Sequence, residues 1–209
     1  MSDESNDAGP TGVGLIDAAA AGDLVGLRAL LETSELDLNA RDKRGRTALM
    51  AATYANQPTA AALLLQAGAD VDLQDDMLNN PFLYSGAEGL MEILKLTHAA
   101  GADPTIRNRY GGVAIIPAAE KGHLEAVRYL LEETDVDVNH INDLGWTALL
   151  EAIILTDGGP VHQQIIAELI AHGADVTIAD GDDVTPLQHA RQRGYREIEA
   201  LLIEAGAAR

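Results

Sequence analysis

The chain contains no cysteine, which removes disulfides, thiolate zinc sites, iron–sulfur clusters and cysteine nucleophiles together. Aromatic side chains make up only 3% of the residues, with one Phe and one Trp. A core must therefore be assembled from Leu, Ile, Val and Ala, a composition that suits closely packed helices and disfavours large β-sandwiches. Basic residues are scarce: 14 Lys and Arg stand against 33 Asp and Glu, a net charge of -19. Such a charge repels phosphate backbones and anionic lipid at long range, so neither nucleic acid nor a membrane is an expected partner. No stretch approaches the roughly 18 uncharged apolar residues of a transmembrane helix. The opening MSDESNDAGP is acidic and polar where a secretory signal needs a basic start and an apolar run. Residues 1–12 read as a disordered acidic tail, and the expected location is cytoplasmic.

What is present is 47% hydrophobic residues over a length of 209, enough to bury a core, arranged in a pattern that returns about every 33 residues. Thr47-Ala48-Leu49 marks it, with equivalents at Asn80-Pro81-Phe82, Val113-Ala114-Ile115, Thr147-Ala148-Leu149 and Thr185-Pro186-Leu187, at steps of 33, 33, 34 and 38. After each marker come an apolar run, a turn (clearest at Gly89, Gly122 and Gly194) and a second apolar run such as Leu124–Leu131. Each unit therefore reads as helix, turn, helix. Gly68, Gly101 and Gly173, each followed by Ala-Asp, stand just past the second run, where a left-handed C-cap forms. A lone helix pair of this size cannot bury its apolar face, so units must stack into a quasi-one-dimensional solenoid.

The pattern D-x-x-G-x-T-A/P-L, then A-A-x-x-G-H, then L-L-x-x-G-A-D-V is similar to the ankyrin repeat, best seen in Asp42–Leu49 and Gly122–Val127. The wording of Asn108–Gly112 and Asn142–Trp146 resembles microbial single-domain ankyrin proteins. The resemblance implies an all-α repeat solenoid: a stack of helix-turn-helix units with projecting β-hairpin fingers, an N-terminal capping unit and five repeats. As a single domain over 13–209, the units are expected at about 13–40, 41–74, 75–107, 108–141, 142–179 and 180–209. Three departures from the family pattern carry expectations. The position after the marker Leu, often His in the family, reads Met50, Leu83, Ile116, Leu150 and Gln188, which predicts a thinner polar network between repeats. Leu78 replaces a hairpin glycine, so that finger is expected to deviate from the others. Asp157–Gln163 reads as a loop inserted between the helices of repeat four.

Constellations that support catalysis are absent from the sequence. Ser2 and Ser5 lie in the tail, Ser34 in a linker, and Ser85 stands where other repeats have alanine, so it reads as a small core residue. The six histidines, at 98, 123, 140, 162, 172 and 189, include no i, i+4 pair and no H-E-x-x-H, and His123 reads as a helix-terminus residue. Asp180-Gly181-Asp182-Asp183 lacks the spacing and the distant glutamate of a calcium loop, and Gly9–Gly14 lacks the strand and Gly-Lys-Ser/Thr of a phosphate loop. No metal, no cofactor and no enzymatic role is expected. The alternative is a ligand-binding or enzymatic activity centred on Asp157–Gln163, where His162 and Asp157 stand close together.

The resemblance implies protein recognition by the finger tips and the exposed face of each first helix. Carried over by position, the expected partner-binding residues are Lys43, Arg44, Arg46, Tyr54, Met77, Asn79, Arg109, Tyr110, Lys121, Asp143, Leu144, Trp146 and Asp182. Tyr110 and Trp146 are the residue types that dominate binding hot spots. Arg41, Lys43, Arg44 and Arg46 make the first finger basic, whereas Tyr129 to Ala190 contains no Lys or Arg. That charge division fits a polarised groove, and it equally fits solvated finger surfaces. Asn39 and Asn139 are expected to hydrogen-bond within their own hairpins, and the chain is expected to act as a monomer on an unidentified protein.

Overall fold

The computed structural model describes residues 10–33 and 36–208. Residues 1–9 of the expected tail, with Ser2 and Ser5, lie outside the described residues, as does Ser34. The tail was expected to reach residue 12, but helix already begins at Pro10. The glycine-rich Gly12 to Gly14 stretch is thus helical.

Among the described residues there are twelve helices and no strand longer than an isolated bridge position. They follow one another as α1 (Pro10–Ala21), α2 (Leu24–Leu31), α3 (Ala48–Tyr54), α4 (Pro58–Gln66), α5 (Pro81–Ala87), α6 (Met91–Ala99), α7 (Ile115–Glu120), α8 (Leu124–Glu133), α9 (Ala148–Ile154), α10 (Pro160–Ala171), α11 (Pro186–Arg193) and α12 (Arg196–Glu204). The chain forms two compact units, Met1–Ser85 with Leu90–Asp103, and Gly86–Gly89 with Pro104–Arg209. In the first, α1 packs on α3, and α4 packs on both α2 and α6. In the second, α9 packs on α7 and α11, while α10 packs on α8 and α12. First helices of each pair thus meet first helices, and second helices meet second helices. Leu49, Leu64 and Leu94 of the first unit, and Ile115, Leu130, Leu150 and Ile166 of the second, are fully buried, as the aliphatic composition requires.

The marker position is the device that starts each first helix. Thr47, Thr147 and Thr185 accept a hydrogen bond at Oγ1 from the backbone N–H three residues on, which satisfies one of the N–H groups a helix start leaves open. Asn80 does the same through Oδ1 to Leu83 at 2.8 Å. Its Nδ2 is fully buried and has no partner. The position after the marker Leu is apolar and buried at Met50, Leu83, Ile116 and Leu150, while Gln188 closes a capping box with Thr185.

Side-chain to backbone bonds connect successive repeats in the links that follow the second helices. Asn39 Oδ1 accepts from the Asp70 N–H at 3.0 Å, and Asn139 Oδ1 accepts from the Asp175 N–H at 2.8 Å while its Nδ2 donates to the Gly173 carbonyl. Both asparagines therefore tie one repeat to the next and do not close their own hairpins, contrary to the expectation. Asp72 plays the same part toward the Asp103 N–H.

The projecting loops are turns, each anchored by an Asx side chain. Asp42, Asp75, Asn108, Asn142 and Asp180 each accept at Oδ1 from the N–H groups two and four residues on. Each also closes the loop through its own backbone N–H, to the carbonyl four residues on. The fourth residue of the turn is left-handed in all five, at Gly45, Leu78, Gly111, Gly145 and Asp183. Leu78 was expected to make its loop deviate. The Asp75 anchor instead holds Leu78 at φ 55 in the same turn, with the side chain half-exposed.

The expected inserted loop is also corrected. The link between α9 and α10 covers 155–159, against 55–57, 88–90 and 121–123 in the preceding pairs. Pro160–Gln163 forms the first turn of α10, which has 12 residues where α4 and α6 have 9. What remains of the loop is tightly closed. The Thr156 carbonyl accepts from the Tyr195 hydroxyl at 2.6 Å, and the Gly158 carbonyl accepts from Gln163 Nε2 at 2.8 Å.

Candidate functional site

In the first unit, the expected recognition residues divide into bonded and open ones. Arg46 is committed to Asp42 at 2.6 Å within its own turn, and Arg41 Nη1 donates to the Gln74 carbonyl at 2.8 Å. Lys43 and Arg44 are exposed. The Tyr54 hydroxyl donates to Asp75 Oδ2 at 2.6 Å and accepts from Asn79 Nδ2 at 2.9 Å, and its ring meets Tyr84 edge-on with centroids 4.4 Å apart. Burial, then the bond to Asp75, pushes the Tyr54 hydroxyl up to about 12. Tyr54 and Asn79 are thus brought together, in a network that braces a turn. Met77 stands half-exposed on that turn.

In the second unit, the turns at Asn108 and Asn142 lie side by side, since the Asp143 N–H donates to the Tyr110 carbonyl at 2.9 Å. This places Tyr110 and Leu144, 50% and 52% exposed, on neighbouring tips. Arg109 lies over the Tyr110 ring, 4.6 Å from its centroid, and donates to its hydroxyl. Trp146 is half-buried, with its N–H on Asn142, while Asp143 and Asp182 are exposed. Lys121 pairs with Glu88 at 2.5 Å.

Sequence reasoning passed over the residue nine positions after each Asx anchor, in the middle of the first helix. In α9 this is Glu151, 6% exposed, whose Oε1 accepts from Asn142 Nδ2 at 2.8 Å. Burial, followed by the charge of Glu120, pushes its carboxyl up to about 7, with the Asn142 bond acting the other way. In α11 it is His189, also buried. Arg193 donates to His189 Nδ1 at 3.1 Å; an arginine can only donate, so His189 Nε2 carries the proton given to Asp180 Oδ2 at 2.7 Å. The Val184 N–H, with His189 and the Asp182 N–H, holds the Asp180 carboxyl below its usual range. A Glu inside ALLEAII and a His inside PLQHARQR, both nine residues after an Asx, were the available signal.

The residues of the alternative activity do not assemble a reactive centre. His162 gives Nε2 to the Glu120 carbonyl at 2.9 Å and stands 3.9 Å from Asp157, whose Oδ1 already accepts the Gly159 N–H. Ser85 is fully buried and donates to the Phe82 carbonyl. His123 makes no capping bond; its ring packs over Gly89, and burial lowers its basicity. Among the described residues, no group of three or more His, Asp or Glu is arranged to hold a metal ion. No described helix is long and apolar enough to cross a membrane.

A family model described as ankyrin repeats in three copies matches residues 6–75 and 83–180. The chain belongs to the ankyrin repeat family. The putative ankyrin repeat protein YahD of Escherichia coli K12 is 42% identical over 91% of this chain and 94% of its own length. A solved ankyrin repeat domain from Acinetobacter baumannii AYE is 54% identical, covers 93% of this chain and 98% of that one, and superposes with a TM-score of 0.90. The mouse cyclin-dependent kinase 4 inhibitor B is 32% identical over 58% of this chain and 93% of its own length. Ankyrin repeats are general protein–protein interaction modules, and the ankyrin fold is generally non-enzymatic.

Proposed function

We propose that this chain is a protein-binding module and that the tips at Tyr110 and Leu144, with the adjoining faces of α7, α9 and α11, form a recognition surface. The observation that carries the reading is the exposed Tyr110–Leu144 pair on two tips joined through their backbones. Large apolar side chains half in solvent gain when a partner covers them, by about 25 cal/mol for each Å² of apolar surface removed from water. Arg109, Asp143 and Trp146 contribute around them, and Lys43, Arg44 and Met77 offer separate contacts on the tips of the first unit. The kinase inhibitor among the similar proteins is named for acting on another protein. The protein works in the cytoplasm, as a monomer.

The test is capture from a lysate of the source organism by wild type and by Tyr110→Ala/Leu144→Ala, with circular dichroism to show equal folding. A protein held by the first and lost by the second is the expected result. Equal retention by both would remove this surface from consideration.

A further inference from the structure

The last two second helices, α10 and α12, pack side by side and leave a groove between them. Ile165, Ile166 and Leu169 of α10, with Ile198 and Leu202 of α12, are buried in the core. Outside that core, Gln164, Ala167 and Ile170 on α10 and Glu197, Leu201 and Glu204 on α12 recur at helical spacing. They wall two clefts. One, of about 360 Å³, is lined by Gln164 and Ala167 on one helix and Glu197 and Leu201 on the other. The second, of about 270 Å³, is lined by Ala167 and Ile170 against Leu201 and Glu204. Ala167 and Leu201 belong to both, so the clefts are halves of one groove with a half-buried aliphatic floor.

The groove carries two carboxylates and no cation of its own. Glu197 and Glu204 are exposed, and among the described residues neither side chain has a hydrogen bond or an ion pair. α10 contains no Lys or Arg, and the one in α12, Arg196, lines neither cleft. On the adjoining helices, Arg128 is held by Glu168 and Arg191 by Glu199. Glu197 suits the first turn of α12, but Glu204 is its last residue, where the helix dipole favours a cation and penalises an anion. Two helical turns separate the carboxylates, about 10.5 Å along the axis.

We propose that this groove docks an amphipathic helix of a partner protein. Apolar side chains at i, i+3 or i+4, and i+7 of that helix rest on Ala167, Ile170 and Leu201, and a Lys or Arg pair seven residues apart meets Glu197 and Glu204. From Pro160 to Ala171 the groove wall runs about 16 Å, three turns of such a helix, whose ridge enters the groove as one packed helix enters another. Charge complementarity decides the occupant. Covering the floor withdraws water from both carboxylates, which is costly unless opposite charge replaces it. Lys and Arg supply that charge while their apolar stems lie along the floor. An acidic helix is repelled, as are anionic lipid, nucleic acid and the acidic residues 1–9 of this chain. The groove shares no residue with the Tyr110 and Leu144 tips, and a partner can hold either one alone.

The test is selection on the full chain from a displayed library of three-helix bundles randomised on the exposed face of one helix. Clones are kept when Gln164→Trp or Ala167→Arg, each filling the groove, abolishes their binding. Gln164 is exposed, so its replacement keeps the fold where Ala167→Arg fails, and circular dichroism checks both. Kept clones are expected to carry Lys or Arg seven residues apart beside an apolar stripe at i, i+3 or i+4, and i+7. Changing that basic pair to Gln should weaken binding at least tenfold, and Glu197→Gln/Glu204→Gln should weaken it as much. The two changes together should cost little more than either, as for groups in contact. The inference is overturned by a selection without groove-dependent clones, by kept clones without the basic pair, or by a basic pair whose loss costs the same against Glu197→Gln/Glu204→Gln as against wild type. Sedimentation that shows wild-type dimers dissolved by Gln164→Trp also overturns it, with a second copy of this chain as the occupant.

Discussion

Glu151→Gln should make the protein more stable at pH 8 and leave it nearly unchanged at pH 4.5. The Glu151 carboxyl titrates at 4.5 when unfolded and at about 7 in the fold, so between those values the native chain holds a proton that the unfolded chain has released. Stability from this group is complete below about pH 4.5 and is lost as pH rises through about 7. At about 1.4 kcal/mol for each pH unit of that interval, the loss is about 3 kcal/mol. Solvent reaching the carboxylate screens part of it, which leaves about 2 kcal/mol. Gln keeps an oxygen for the Asn142 amide and carries no charge. Urea melts of wild type and variant at both pH values give the quantity as a difference of differences, in which the general repulsion from a net charge of -19 cancels. In a chain of this length the gain at pH 8 corresponds to a melting temperature higher by about 4 to 8 °C. An equal stability difference at pH 4.5 and pH 8 would refute the reasoning.

Two further predictions concern single side chains. Asn80→Thr keeps the bond to the Leu83 N–H and removes the buried, unpartnered Nδ2; thermal or urea melts should show a gain of about 1 kcal/mol, and a loss would mean that Nδ2 is not the defect described. Gly158→Ala should cost about 2 kcal/mol or more, because Gly158 has φ 67 and an added Cβ would stand 2.7 Å from the Tyr195 ring; an unchanged melt would show the α9–α10 link to be looser than its hydrogen bonds indicate.

The spacing of the markers carried the architecture because a stacking unit must present its apolar face at a fixed interval, and Thr47, Thr147 and Thr185 cap their helices where that spacing places them. The turn at Leu78 was misjudged because local preference at one residue was weighed without the Asp75 anchor, whose bonds to the Met77 and Asn79 N–H groups hold Leu78 left-handed. The roles of Asn39 and Asn139 were assigned to their own hairpins because sequence distance hides partners 31 and 36 residues away. Of the residues that the sequence offered as partner-binding, Tyr110 and Leu144 are half-exposed, whereas Arg46 and Tyr54 are engaged in bracing their turns. Glu151 was missed because a carboxylate inside an apolar helix acquires meaning only when Asn142 and Glu120 are seen beside it.

Neighbouring tips are tied main chain to main chain, Asp76 N–H to the Arg44 carbonyl and Asp143 N–H to the Tyr110 carbonyl. Such bonds ask nothing of the side chain one atom away. The third residue of the five turns is Arg44, Met77, Tyr110, Leu144 and Asp182, cationic, thioether, phenolic, aliphatic and anionic in turn, on one unchanged backbone. Inheritance can therefore rewrite the chemistry these tips present without renegotiating how they fold, and a combinatorial library diversified at those positions would vary the surface while drawing little on stability.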